Sequence, residues 1–149
     1  MSIQRTLVLC KPDAVQRGLV GRIVSRFEEK GLKLVGMKML EVSPDLASKH
    51  YAEHVEKPFY GDLLGFITAS PIVALAIEGD NAVEVVRNLM GVTNPQKAGS
   101  GTIRGDFGLN LTMNLVHGSD SLASAQRELA LFFGSDELYD YESALHNWT

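Results

Sequence analysis

The chain reads as an α+β fold, and three observations point there. Runs of strand length and runs of helical spacing alternate in the order β-α-β-(α)-β-α-β-α. No linker or low-complexity segment interrupts the 149 residues. Residues 71–77 are a continuous apolar run of strand length, and residues 3–10, apolar from Leu7 to Cys10, read as a buried strand. Such an order suits a ferredoxin-like βαββαβ core, one sheet with helices over a face, in a single domain spanning residues 1–149. The pattern by itself fits a parallel sheet as well as an antiparallel one.

The elements follow in turn. Residues 3–10 form the first strand. Leu19, Val20, Ile23, Val24 and Phe27 make a helical stripe that Gly31 ends. Residues 32–40 are extended, with the alternation slipping at Val35-Gly36, where a bulge is expected. Residues 44–57 and 59–68 predict two short helices separated by Pro58. After the strand at 71–77, Asp80 is expected to cap a helix that turns Val83, Val86, Leu89 and Met90 inward. Residues 93–101 read as a long ordered loop. A strand over 110–116, a helix over 121–133 and a polar tail complete the chain.

Composition excludes several classes. The length suits one domain with a real core. No apolar run approaches the roughly 18 residues a membrane span requires. The start, Ile3-Gln4-Arg5-Thr6-Leu7, lacks a basic-then-apolar leader, so a cytoplasmic location is expected. A single cysteine, Cys10, cannot form an internal disulfide and fits a reducing compartment. The net charge of −4 provides no basic field, so no specific nucleic-acid partner is expected. A polyanion site would have to be a local cluster, and Lys11, Arg87 and Arg104 meet only if the fold gathers them.

The most informative stretch is Asn114-Leu115-Val116-His117-Gly118-Ser119-Asp120-Ser121. It sets His117 between a strand-like alternation and a helix start at Ser121, followed by Leu122, Ala125, Leu129 and Phe132. Glu128, two turns into that helix, is expected to face back toward the helix start, within reach of the imidazole. A carboxylate holding one ring nitrogen leaves the other as a lone pair, which is a nucleophile. A plain structural histidine is the alternative reading.

The same stretch resembles the active-site signature of nucleoside diphosphate kinases, and the likeness extends along nearly the whole chain. Thr6-Leu7-Val8-Leu9-Cys10-Lys11-Pro12-Asp13-Ala14 is similar to that family's first strand and lysine turn. Gln16-Arg17-Gly18-Leu19-Val20-Gly21, His50-Tyr51, Lys57-Pro58-Phe59-Tyr60 and Thr93-Asn94-Pro95 follow in family order. Gly101-Thr102-Ile103-Arg104-Gly105-Asp106-Phe107 and a closing Asn147-Trp148 complete it.

The resemblance implies a four-stranded antiparallel sheet. It implies transfer of the γ-phosphoryl group from a nucleoside triphosphate to a nucleoside diphosphate, in two half-reactions through a phosphohistidine at His117. In its terms Glu128 orients the imidazole and Ser119 supports that contact. Lys11, Tyr51, Arg87, Thr93 and Arg104 bind phosphates, while Lys11 and Asn114 meet the sugar hydroxyls. Phe59 stacks on the base with Leu111 opposite, a contact that reads no base edge and so tolerates every base. Mg²⁺ arrives with the nucleotide. Assembly as a homo-oligomer is implied, a hexamer or else a tetramer. The chain departs from the family at Thr112-Met113, where many members carry Gly-Arg. A silent nucleotide-binding module of the same fold is the competing expectation, but it would show damage at His117, Glu128 or the clamp residues.

Other motifs carry less. Asp106-Phe107-Gly108 spells the metal-binding tripeptide of protein kinases without the glycine loop, strand lysine or His-Arg-Asp that must accompany it. There is no P-loop, so phosphate would be held by side chains. His50 and His54, at i and i+4, could pair on a metal. With no third ligand evident, they are expected to face solvent. Each cation also has a plain reading: Arg87 on a helix dipole, Arg104 in an ordinary salt bridge, Lys11 snorkelling.

Overall fold

A computed structural model describes residues 2–149. Its four strands are β1 (Ile3–Cys10), β2 (Lys33–Leu40), β3 (Ile72–Asp80) and β4 (Val116–Gly118). They lie in the order β2-β3-β1-β4, and every neighbouring pair is antiparallel. That resolves the direction the pattern had left open.

The two central strands pair along their full length, from Ile3 opposite Asp80 to Cys10 opposite Val73. Side chains alternate across a sheet. Val8, Cys10, Val73, Leu75 and Ile77 therefore share one face, and Leu7, Leu9, Ile72, Ala74 and Ala76 share the other. Both sets are buried. Helices α2 (Val20–Glu29) and α5 (Ala82–Met90) cover the first face with Ile23, Phe27, Val86 and Met90. Helices α3 (Pro44–His50), α4 (Tyr60–Ile67) and α7 (Leu122–Phe132) cover the second with Ala47, Ile67, Leu129 and Phe132. The sequence pattern required helices over one face; the structure has them on two. Stretches apolar at consecutive positions, 7–10 of β1 and 72–77 of β3, have no side to give to water. Truncating the fully buried Phe27 to alanine would cost about 3–5 kcal/mol.

The bulge expected at Val35-Gly36 is present, as a register shift between Leu34 and Gly36 against β3. It gives the tail an anchor. Val35 accepts from the Tyr139 amide at 2.9 Å, and Leu34 accepts from the Tyr141 hydroxyl at 2.6 Å. A Cβ at Gly36 would stand 2.8 Å from Leu138, so the tail lies over a position kept bare.

Three local expectations change, and two short helices are added. The helix expected over 44–57 stops at His50, and the chain continues in tight turns such as His54 N–H to Tyr51 and Lys57 N–H to His54. Asp80 does not cap α5. It ends β3 and accepts from the Ser2 amide at 2.7 Å, while Asn81 takes the cap position at φ 55°. Two helices of five residues, α1 (Pro12–Gln16) and α6 (Ile103–Phe107), are too short to show a period in the sequence.

The strand expected at 110–116 is mostly loop, and β4 begins only at Val116. Asn110 Oδ1 accepts from the amides of Thr112 and Met113, bending the chain, and Leu115 sits at φ 75°. Leu111 and Met113 are exposed, so their alternation with polar neighbours belongs to a turn.

Candidate active site

His117 lies inside β4, not beyond a strand end, and pairs with Leu9 of β1. That pairing fixes the backbone beneath the imidazole. Ser121 caps α7 by accepting from the Ser124 amide at 3.0 Å, which sets the start of the helix one short turn after the strand. Glu128 then points back into the sheet. Its Oε1 lies 2.6 Å from His117 Nε2 and accepts from the Ser119 hydroxyl at 3.1 Å. Burial pushes the Glu128 carboxyl up, but the hydrogen bonds and charge of His117, with Ser119 and His50, outweigh it and hold the acid below its ordinary range. Glu128 is therefore a carboxylate that accepts from Nε2. Among the described residues Nδ1 of His117 has no hydrogen-bond partner, and a quarter of the side chain is open to the cavity.

The turn after β1 builds the opposite wall. Asp13 is buried and its Oδ2 accepts from the Leu115 amide at 3.0 Å, while the Lys11 amide donates to the Leu115 carbonyl at 2.9 Å. Leu115 is thus clamped in a left-handed conformation that a branched residue rarely adopts, at a cost of about 1–3 kcal/mol. The clamp aims Asn114 inward, where its Oδ1 accepts from Lys11 Nζ at 2.8 Å. Burial, reinforced by Arg104 and opposed by Asp13, pushes the Lys11 ammonium down to about 8.

Arg104 is buried and makes no ordinary salt bridge. It donates to the carbonyls of Asn114, Gly91 and Val116 at 3.2, 3.0 and 2.7 Å, tying α6 to the loop and to β4. Burial and the neighbouring Arg87 push its pKa down to about 10. Arg87 donates to the Gly118 carbonyl at 3.1 Å. Both guanidiniums keep further N–H groups for a ligand.

These side chains line one cavity of about 300 Å³. Lys11, Tyr51, Arg87, Thr93, Arg104, Asn114, His117 and Glu128 all reach its wall. Ser119 stands behind Glu128, buried and off the wall. Phe59 and Leu111 are not in the lining; both are exposed, with the Phe59 ring 5.5 Å from that of His54. A larger groove, about 1130 Å³, runs under the tail beside Leu32 and Tyr141, far from the imidazole.

Sequence reasoning missed His50. It does not face solvent: it is only 6% exposed, its ring packs edge-on against His117 at 4.7 Å, and neither ring nitrogen has a partner among the described residues. Burial, with a smaller contribution from His117, pushes its pKa down to about 3, so it is neutral. The i, i+4 pair with His54 was a signal, but its companions lie far along the chain. Glu53, Ser124 and Arg127 also line the cavity and carried no motif of their own, and Asp120 joins them from within the signature stretch.

Two reactive groups outside the cavity are structural. Asp106 belongs to an ion pair with Arg26 at 2.7 Å and accepts from the Gly101 amide, so the kinase-like tripeptide is structural. Cys10 is buried in the core, which together with Asp13 pushes its thiol up to about 12. That thiol is inert.

A fixed imidazole with one free lone pair, set among cations in a small polar cavity, defines a group-transfer site for a polyanion. Comparison with known proteins says which. The family model for nucleoside diphosphate kinase matches residues 4–138. Relatives named nucleoside diphosphate kinase from Pelotomaculum thermopropionicum and Archaeoglobus fulgidus are 56% and 55% identical, over 98% of this chain and 98% and 97% of theirs. The solved nucleoside diphosphate kinase of Halobacterium salinarum, a complex with CDP, superposes with a TM-score of 0.96 at 50% identity, covering 99% of this chain and 98% of that one. A Babesia bovis family protein superposes at 0.95 with 45% identity, covering 97% and 98%. The chain belongs to the nucleoside diphosphate kinase family, and it is an enzyme, a phosphotransferase.

Proposed function

We propose that this chain moves the γ-phosphoryl group of a nucleoside triphosphate, typically ATP, onto any nucleoside diphosphate by a ping-pong route through His117. The observation that carries this is the 2.6 Å contact between His117 Nε2 and Glu128 Oε1, which places the ring proton on Nε2 and the lone pair on Nδ1. Nδ1 attacks the γ-phosphorus, the bond to the β-phosphate oxygen breaks, and a nucleoside diphosphate leaves as an anion. The second half-reaction reverses this onto another diphosphate, whose attacking oxygen is already ionised, so no general base is required. Glu128 steadies the imidazole as charge builds on it, and Ser119 holds the carboxylate in place.

Lys11, Arg87 and Arg104, with Thr93 and the Tyr51 hydroxyl, hold the phosphates. Removing one such cation would cost about 2–4 kcal/mol of transition-state stabilisation. Lys11 and Asn114 meet the sugar hydroxyls. Phe59 and Leu111, exposed beyond the cavity, close on the two faces of the base, and an apolar sandwich of that kind accepts purines and pyrimidines alike.

Besides Glu128, which is bonded to His117, the wall offers the carboxylates of Glu53 and Asp120. Mg²⁺ demands six oxygens in near-octahedral array. Two carboxylates do not form such a cage, but they suit an ion carried in by the phosphates, faced by Asp120 and Glu53 through water. When bound, Mg²⁺ would neutralise phosphate charge.

We also read the chain as a cytoplasmic homo-oligomer, a hexamer or else a tetramer. Supporting this, Met37 and Met39 on the edge strand β2 and Val92, Leu109 and Met113 in the loops expose large apolar surface. Sedimentation equilibrium decides the number.

The central test is incubation with γ-labelled ATP and Mg²⁺ without acceptor, beside His117→Ala. An acid-labile, alkali-stable label on the wild type alone, discharged by any nucleoside diphosphate, is expected. Absence of label despite measurable ATP binding would overturn the relay in favour of a silent binding module.

A further inference from the structure

We infer that His50, His117 and Glu128 form a binding site for a borderline divalent transition metal such as Zn²⁺, and that its occupation silences phosphoryl transfer. One ligand atom from each lies within 4.8 Å of the other two. The three come from the end of α3, from β4 and from α7, so the packing of two helices on one sheet face creates the cluster.

His50 carries the argument. It is 94% buried by its 6% exposure, yet neither of its nitrogens has a partner among the described residues. A buried imidazole normally has at least one ring nitrogen satisfied. Nothing in the phosphotransfer route uses it, although its ring stands edge-on to His117. A neutral imidazole and a carboxylate are the forms in which such side chains bind a metal.

Two imidazoles and one carboxylate are a donor set that suits Zn²⁺ and neighbouring transition ions, with a fourth position open to water on the cavity side. Mg²⁺ prefers oxygen donors throughout and would not compete there. Lys11, Arg87, Arg104 and Arg127 line the same cavity and oppose a cation, so binding is weaker than at a structural zinc site and sensitive to anions. The metal must part His117 Nε2 from Glu128 Oε1 or take Nδ1. Either way the nucleophile is lost, through its orientation in one case and its lone pair in the other.

The inhibitory half of this inference rests on the phosphohistidine reading; the binding half does not. The test therefore measures both on the full chain without nucleotide. Zn²⁺ is titrated by calorimetry, and Co²⁺ by its visible absorption, whose intensity reports four-coordinate geometry. Expected is one equivalent per chain, weakened more than about tenfold in both His50→Asn and His117→Gln, since losing a ligand costs at least what losing its support does. Labelling from Mg²⁺ and γ-labelled ATP should fall in step with Zn²⁺ occupancy in the wild type. It should persist in Zn²⁺-treated His50→Asn relative to that variant without Zn²⁺. No binding at millimolar Zn²⁺, or binding that neither substitution weakens, would overturn the site. Should His50→Asn fail to fold, His117→Gln decides the binding alone. Failure of wild-type labelling without any Zn²⁺ would instead sink the phosphohistidine reading and leave the metal titration to stand or fall separately.

Discussion

His117 Nε2 and Glu128 Oε1 stand 2.6 Å apart, joining an edge strand to the middle of the helix that follows it. The contact fixes a tautomer as well as a position. Glu128→Gln can satisfy the ring only by choosing between a carbonyl that accepts and an amide that donates. The amide would force the proton onto Nδ1. Phosphorylation of His117 is expected to slow by about two to four orders of magnitude, as for other acids that set a histidine tautomer. Ser119→Ala removes one donor to Oε1 and is expected to slow it only several-fold, about 1 kcal/mol. Single-turnover labelling rates of the two variants separate these outcomes.

Lys11 provides a pH signature. Its pKa is pushed down to about 8 by burial, so the free enzyme loses above that pH the charge proposed to hold phosphate. The profile of kcat/KM reports the free enzyme and should fall above about pH 8, while kcat holds to higher pH because bound phosphate restores the proton. The stability contribution runs the other way. Between about 8 and the ordinary 10.5 the unfolded chain binds more protons, so this group's contribution favours folding increasingly as pH rises. A kcat/KM profile in Lys11→Met with the same fall would show that another group titrates.

Asp13 Oδ2 accepts at 3.0 Å from the amide of the strained Leu115, the residue next to Asn114. Asp13→Ala frees that amide in a buried place, at a cost of about 1–3 kcal/mol. It should lower the denaturation midpoint and raise KM, since Asn114 loses its aim. Urea melts and steady-state kinetics check the two halves. A variant with full stability and an unchanged KM would show that the clamp is dispensable.

Phe59 is exposed beyond the cavity with Lys57 over its ring at 5.8 Å. Phe59→Ala should raise KM for adenosine, guanosine, cytidine and uridine diphosphates alike, by about 1–3 kcal/mol of lost stacking. A loss confined to one base would mean that edges are read, against the tolerance proposed above.

The elements that periodicity can report were legible in the sequence. β1 and the helical stripe from Leu19 to Phe27 stand where the spacing placed them, and the Val35-Gly36 slip is a bulge. Helical turns put Glu128 within reach of His117, and the structure joins them at 2.6 Å. The 110–116 segment misled because two exposed residues, Leu111 and Met113, alternated with polar ones in a turn held by Asn110. Short helices such as α6 span too few residues to show any period.

The sequence by itself determined β1, β2, β3, the longer helices and the residue types gathered around His117, because local spacing and side-chain type carry that information. Periodicity left the direction of the sheet open and the family resemblance implied it; only the tertiary structure decided its two covered faces and the company of His50. It also decided the bonding of Arg104 to three carbonyls from separate segments. The reason is the same for each. These features depend on which segments meet in space, and such meetings are set by burying both faces of the sheet together, not by any stretch of chain alone.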